Sequence, residues 1–242
     1  LIGHSDEATF VGSDATAFIE HTNRVTYLES GDIAHLTPDE VTIYNAGERV
    51  TRDTETLEWD ADAAGKSGYD HYMLKEIHEQ PRALRQTISG RINELATTVD
   101  LDIDLPAEYL RSIDELQIIA CGTSYHAGLY GAALLRRAGV PATTHLSSEY
   151  ATGPAPVFED TLVVGVTQSG ETADTLSALR AARDRGAETL AVTNVVGSTA
   201  ARECAHALYI RAGPEIGVAA TKTFSSQLVT LNLLVEHLTG QD

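Results

Sequence analysis

An α/β fold on a five-stranded, parallel, doubly wound sheet is predicted by three observations. Strand-like and helix-like segments alternate from Leu116 onward, the strands are unbroken apolar runs, and glycine closes the first two helices. Helices, and before them a short β-rich segment, precede this sheet.

Taken in order, residues 1–52 read as short strands and turns. RVTYLES (Arg24 to Ser30), DIAHL (Asp32 to Leu36) and VTIYNA (Val41 to Ala46) are separated by Gly31 and Gly47, and Ser13 is placed to cap a short helix over Ala15 to Glu20. This stretch has too few apolar residues to close a core alone. Residues 53–68 turn small and acidic around the single Trp59 and read as a linker, which places a domain over 69–242. From Tyr69 to Thr97 the pattern is helical, with Tyr72, Lys75, Ile77, Leu84 and Ile88 on one partly apolar face; Pro81 predicts a break, hence two short helices.

After Leu105 and Pro106 the alternation begins. LQIIAC (Leu116 to Cys121) leads to the helical YHAGLYGAALLRRA, closed by Gly139, and then to a short strand, ATTHL (Ala142 to Leu146). TLVVGV (Thr161 to Val166) leads to a helix from Thr172 to Arg185, closed by Gly186. TLAVTN (Thr189 to Asn194) precedes a short helix opened by Ser198, and ALYI (Ala207 to Ile210) precedes a long helix from Thr221 to Leu238. On that last helix Phe224, Leu228, Leu231, Leu234 and Leu238 share a face and read as core. Right-handed crossovers leave few topologies other than one doubly wound sheet.

Composition narrows the function classes. The 242 residues carry 35 acidic against 17 basic side chains, a formal charge of -18, and the only lysines are Lys66, Lys75 and Lys222. Such a surface repels nucleic acid and anionic lipid. A salt-adapted cytoplasm that screens the self-repulsion is the preferred reading, with a cationic partner as the alternative. No apolar run approaches a bilayer span. Two cysteines, Cys121 and Cys204, fit a reducing cytoplasm and make neither a disulfide framework nor a zinc site, and the nine histidines lack ligand spacing. No metal and no cofactor is expected. Leu1 is not a start methionine, so the chain is expected to begin inside a longer product.

In such sheets ligands sit beyond the carboxyl ends of the strands. CGTS (Cys121 to Ser124) and TQSGET (Thr167 to Thr172) each place hydroxyls and a glycine ahead of a helix start, where free N–H groups and the helix dipole favour an anion such as a phosphate ester. Read plainly, Ser124, Ser169 and Thr172 are also good N-caps, and one loop alone would not decide between the two. Neither GxxxxGK[ST] nor GxGxxG is present, and Gly122, Gly128 and Gly131 have the wrong spacing for a nucleotide loop. A third loop, GPEIGVAATKTF (Gly213 to Phe224), offers Glu215 as a base or dipole complement and Lys222 as an ion-pairing residue in preference to a Schiff-base amine. Cys121 reads as a packing residue and not a nucleophile.

HYMLKEIHEQP (His71 to Pro81), ACGTSYHAG (Ala120 to Gly128), TQSGETADTL (Thr167 to Leu176) and GPEIGVAATKTF resemble, in order and spacing, the glutamine:fructose-6-phosphate aminotransferases (isomerizing), or glucosamine-6-phosphate synthases. LESGDIAHLT (Leu28 to Thr37) extends the resemblance upstream to the closing strands of that family's Ntn-type glutaminase domain, so it covers nearly the whole chain. It implies the C-terminal part of a glutaminase-like domain over 1–52 and a first sugar-isomerase (SIS) domain with its N-terminal helices over 69–242. The implied reaction is glutamine-dependent amination and isomerisation of fructose 6-phosphate to glucosamine 6-phosphate. Carried over by residue, Ser124, Thr167, Gln168, Ser169 and Thr172 bind phosphate, Thr123 lies beside them, and Val218 and Ala220 lie against the sugar. Thr167 and Ala220 stand where the family often has Ser; the first keeps the hydroxyl and the second removes a sugar contact. No catalytic residue is expected in this chain, because the glutaminase nucleophile and the second SIS domain have no counterpart here. Glutamine would be used only through that missing half, and the full enzyme is implied to be a homodimer. The alternatives are a noncatalytic SIS module that senses a sugar phosphate and a stand-alone phosphosugar isomerase, for which Glu149 and Glu215 are the candidate acid/base pair.

Overall fold

The computed structural model describes residues 1–242 apart from 14, 38–39, 58–64, 94–97, 102, 104, 106–108, 110–111, 154–159 and 241–242. Trp59, Thr97 and Pro106, used above as landmarks, lie outside the described residues. The chain divides into two units, Leu1–Tyr72 with Gly213–Ile216, and Met73–Ala212 with Gly217–Asp242.

In the first unit the short strands form two antiparallel sheets. β1 (Ile2–His4), β2 (Thr9–Val11), β3 (Arg24–Thr26) and β7 (Thr54–Thr56) pair in the order β2-β1-β3-β7, while β4 (Asp32–Leu36), β5 (Val41–Asn45) and β6 (Glu48–Val50) form a meander. The segment after Ser13 makes only a 3-10 turn, Ala15–Ala17, in place of the expected helix. Phe18, Ile19, Val25 and Leu57 make a small core. Arg52 clamps Asp32 with Nε and Nη2, each at 2.9 Å, and Asn45 Nδ2 and the Glu29 N–H also donate to that carboxylate. The guanidinium hydrogen bonds hold the Asp32 pKa down to about 2.

The second unit opens with α1 (Tyr72–Ile88), all but its first residue in this unit, one continuous helix where two were expected. Pro81 cannot donate to the carbonyl of Ile77, and the side chain of Gln80 takes its place, Nε2 donating to Ile77 O at 3.1 Å. The helix buries Lys75, Glu76, Ala83 and Thr87 and exposes Met73, Leu74 and Ile77, so its inner face is charged. A small ribbon follows, β8 (Ile92–Asn93) on β9 (Thr98–Val99).

The parallel sheet contains β10 (Glu115–Ala120), β11 (Ala142–Leu146), β12 (Thr161–Val166), β13 (Glu188–Thr193) and β14 (His206–Tyr209) in the order β11-β10-β12-β13-β14. These are the five expected strands. Between them run α2 (Gly122–Arg137), a single turn α3 (Ser147–Tyr150), α4 (Ala173–Asp184) and α5 (Thr199–Glu203), and α6 (Lys222–Thr239) closes the unit. Alternate residues of each strand feed opposite cores. Ile118, Val164 and Val192 face α2 and α6; Ile119, Val163 and Ala191 face α4 and α5. Leu231 and Leu234 are fully buried on α6, and Phe224, Leu228 and Leu238 pack on the same core. Gly131 lets α2 lie close to α6: a Cβ there would sit 3.1 Å from Leu231 Cδ1. Among the described residues no helix is long and apolar enough to cross a membrane.

Candidate functional site

From β10 the chain crosses through α2 to β11 on one side, and β12 then lies on the other side of β10. The helices that follow β10 and β12, α2 and α4, therefore pack on opposite faces of the sheet. This is a topological switch point, where departing helices leave a crevice. Ala120 pairs with Val166, so CGTS and TQSGET leave adjacent strands at the same level, and neighbouring strands lie about 4.8 Å apart. The two hydroxyl loops are thus brought side by side.

In the second loop Thr167 is buried, and Ser169 and Thr172 are half-buried. Thr167 Oγ1 lies 3.2 Å from Thr172 Oγ1 and accepts the Gly170 N–H at 3.2 Å; Ser169 Oγ accepts the Glu171 N–H at 3.1 Å. Gln168 holds the loop through its main chain, its carbonyl accepting the Asn194 N–H at 3.1 Å. The loop is also fastened to α5, because the Gly170 carbonyl accepts from Ala200 N–H at 3.0 Å and Glu171 Oε1 from Thr199 N–H at 2.7 Å. Burial lifts the Glu171 pKa, and the Thr199 hydrogen bond opposes that shift.

Thr123 and Ser124, expected ahead of the helix, fall in the first turn of α2, which begins at Gly122; Thr123 is exposed, while Ser124 is buried and accepts a hydrogen bond at 2.9 Å from Gln227 Nε2 of α6. Of the three residues that read as N-caps, only Thr172 takes that position, at α4, and it makes no side-chain cap bond; Ser124 lies inside α2, whose N-cap position is Cys121, also without a side-chain cap bond, and Ser169 lies in the loop before α4. The first-turn N–H groups of both helices and the hydroxyls beside them are the donors that an anion at this place would use. Cys121 stands at the start of α2, one residue past the strand. Burial pushes the Cys204 thiol up to about 11, far from thiolate chemistry at neutral pH. Among the described residues no group of three or more His, Cys, Asp or Glu is placed to hold a metal.

Residues 109–237, more than half of the chain, match the SIS domain. The chain belongs to the SIS domain family. It is 67% identical over 239 residues to the glutamine–fructose-6-phosphate aminotransferase (isomerizing) of Halobacterium salinarum, covering 98% of this chain and 40% of that protein. The enzyme of the same name from Symbiobacterium thermophilum is 48% identical over 245 residues, again spanning 40% of its length. The chain therefore spans about two fifths of the curated relatives it matches. Among solved structures, the C-terminal domain of glucosamine-fructose-6-phosphate aminotransferase from Francisella tularensis superposes with a TM-score of 0.67 at 37% identity, over 74% of this chain and 51% of that one.

Val218 and Ala220, expected on the sugar side, lie within the matched SIS region. Val218 is fully exposed and Ala220 half-buried on the stretch entering α6. That stretch is tied to α1: Glu76 accepts the Gly217 N–H at 3.0 and 3.2 Å, and Lys222 Nζ donates to Glu79 Oε2 at 2.6 Å. Lys222 is thus the ion-pairing residue its surroundings suggested. Ser124 is met five residues further along α6, about 8 Å at 1.5 Å per residue. Of the candidate acid/base pair, Glu149 is exposed on α3, the turn that follows β11, and Glu215 is buried in the segment grouped with the N-terminal unit. Gln227, Glu76 and Glu79 were missed in the sequence, where the apolar spacing of α6 drew the eye to its leucines and α1 was read as two pieces.

Proposed function

We propose that the SIS domain holds the phosphate of fructose 6-phosphate between Ser124, Ser169, Thr172 and the first-turn N–H groups of α2 and α4. Thr167 and Gln168 shape the second loop, Thr123 lies at the rim, and Val218 and Ala220 lie on the sugar side. The observation that supports this reading is the placement, by strand register, of the first-turn hydroxyls of α2 beside the hydroxyl loop that precedes α4, with no cap bond from the N-cap side chain of either helix. Neutral hydroxyls and N–H groups bind a dianion by donation alone, with a geometry suited to a small ester. The whole-protein reaction we assign is glutamine-dependent conversion of fructose 6-phosphate to glucosamine 6-phosphate, supported by the relatives' name and by the match over nearly all of this chain. In that assignment this chain holds the phosphosugar, residues 1–52 together with the paired strand Thr54–Thr56 and the core residue Leu57 end a glutaminase-like domain, the rest of 53–68 links it to the SIS domain over 69–242, and the assembled enzyme is a cytoplasmic homodimer. The charge of -18 and the Halobacterium salinarum relative support a salt-rich cytoplasm.

Ser169→Ala combined with Thr172→Ala is expected to weaken fructose 6-phosphate binding about a hundredfold, since a hydrogen bond to a charged group contributes about 1.5–3 kcal/mol. Isothermal titration of the folded double variant checks this; affinity equal to wild type would refute the site.

A further inference from the structure

Gln227 has no part in the phosphate contacts assigned above, yet it is 1% exposed and its Nε2 reaches Ser124 Oγ at 2.9 Å across 103 residues of chain. A serine hydroxyl has one hydrogen and two acceptor sites. When an amide N–H occupies an acceptor site, the hydrogen stays free for a different acceptor, and donation into the oxygen polarises the O–H bond. The geometry points to Gln227 as a positioning residue for phosphate binding: by donating to Ser124 Oγ it directs the Ser124 hydrogen to an oxygen of the bound sugar phosphate. This rests on the reading of Ser124 as a phosphate contact.

Two further observations favour this role over a simple strut between α2 and α6. Among the described residues Gln227 Oε1 is buried with no hydrogen-bond partner, a loss that an apolar side chain would avoid. One turn further along, the same two helices are already held by Leu231 packed against Gly131. A purely structural position there is filled by leucine; the amide is retained where it meets the hydroxyl loop.

The test uses the 242-residue chain with Gln227→Leu and Gln227→Glu, titrated with fructose 6-phosphate. Gln227→Leu removes the direction but leaves Ser124 able to donate, and affinity is expected to fall about fivefold, within the worth of one neutral hydrogen bond. Gln227→Glu places a carboxylate that accepts the Ser124 hydrogen and repels the ligand, and the loss is expected to be at least about tenfold larger than for leucine. Should the buried carboxylate unfold the chain, the wild-type protein supplies a second readout. The Gln227 side-chain amide resonances should shift on saturation with fructose 6-phosphate, and replacing Ser124 with alanine should remove that response. Binding by wild type with no amide shift, or wild-type affinity in both variants, overturns the role of Gln227 and leaves the site standing. Absence of binding by the folded wild-type chain overturns the phosphate site and this role together.

Discussion

Gly170→Ala is expected to abolish saturable binding of fructose 6-phosphate and to lower stability by about 2–5 kcal/mol, the sum of a left-handed residue gaining a side chain and of overpacking. Gly170 has φ +73°, and a Cβ built there falls 2.1 Å from Ser198 Oγ and 2.4 Å from Ser198 Cβ. Ser198 is fully buried and short, so it cannot swing aside as a flexible tip would. The loop must move instead. Its Gly170 N–H then leaves Thr167 Oγ1 and its carbonyl leaves the Ala200 N–H, which separates Ser169 from Thr172. Gly186→Ala is the matched comparison, because Gly186 has φ +95° with nothing within 4 Å of its added Cβ. That variant meets backbone strain alone and is expected to bind as wild type after a loss of about 1–2 kcal/mol. Urea unfolding and titration of the pair measure both quantities; retained binding in Gly170→Ala would show that the loop tolerates the displacement.

Glu79→Leu is expected to destabilise the SIS domain by about 3–5 kcal/mol, the usual loss when one partner of a buried ion pair is removed. Lys222 is 1% exposed and sits at the first position of α6, where the helix dipole is already positive, so its ammonium depends on the Glu79 carboxylate at 2.6 Å. Lys75, also buried, shares the same carboxylate at 3.7 Å. Adding Lys222→Met to Glu79→Leu removes the Lys222 ammonium, the nearer of the two that lose Glu79, and the double variant is expected to regain at least about half of the loss. Denaturant unfolding of the two single variants and the double variant gives the coupling; an additive cycle would mean that the pair contributes nothing as a pair. Sugar phosphate affinity should fall in Glu79→Leu as well, because the same helix holds Gly217 and the entry to α6.

The sheet was legible because strands buried on both faces leave unbroken apolar runs, and TLVVGV is a strand from end to end at its expected bounds, Thr161–Val166. The ends of helices were legible for a related reason: Gly139 and Gly186 take φ +91° and +95° just beyond α2 and α4. Strands of three residues, such as Ile2–His4 and Thr9–Val11, give too few alternations to be read. At Pro81 the α1 helix continues with the Gln80 side chain donating to the Ile77 carbonyl, and no periodicity reports that. The hydroxyl loops could be located from strand ends, but their side-by-side placement required the register of β10 on β12. Gln227 was hidden by its own helix. Thr223, Ser226, Gln227 and Thr230 are as buried as the leucines beside them, and an apolar-face pattern counts only the leucines.

The most direct test of the two-loop site is calorimetric titration of the wild-type chain at high salt with fructose 6-phosphate, using inorganic phosphate as the reference ligand. Saturable binding that favours the sugar phosphate, and that is lost in Ser169→Ala with Thr172→Ala, is the predicted result. Equal heats with and without those two hydroxyls, or no saturable binding by protein shown to be folded, would contradict it.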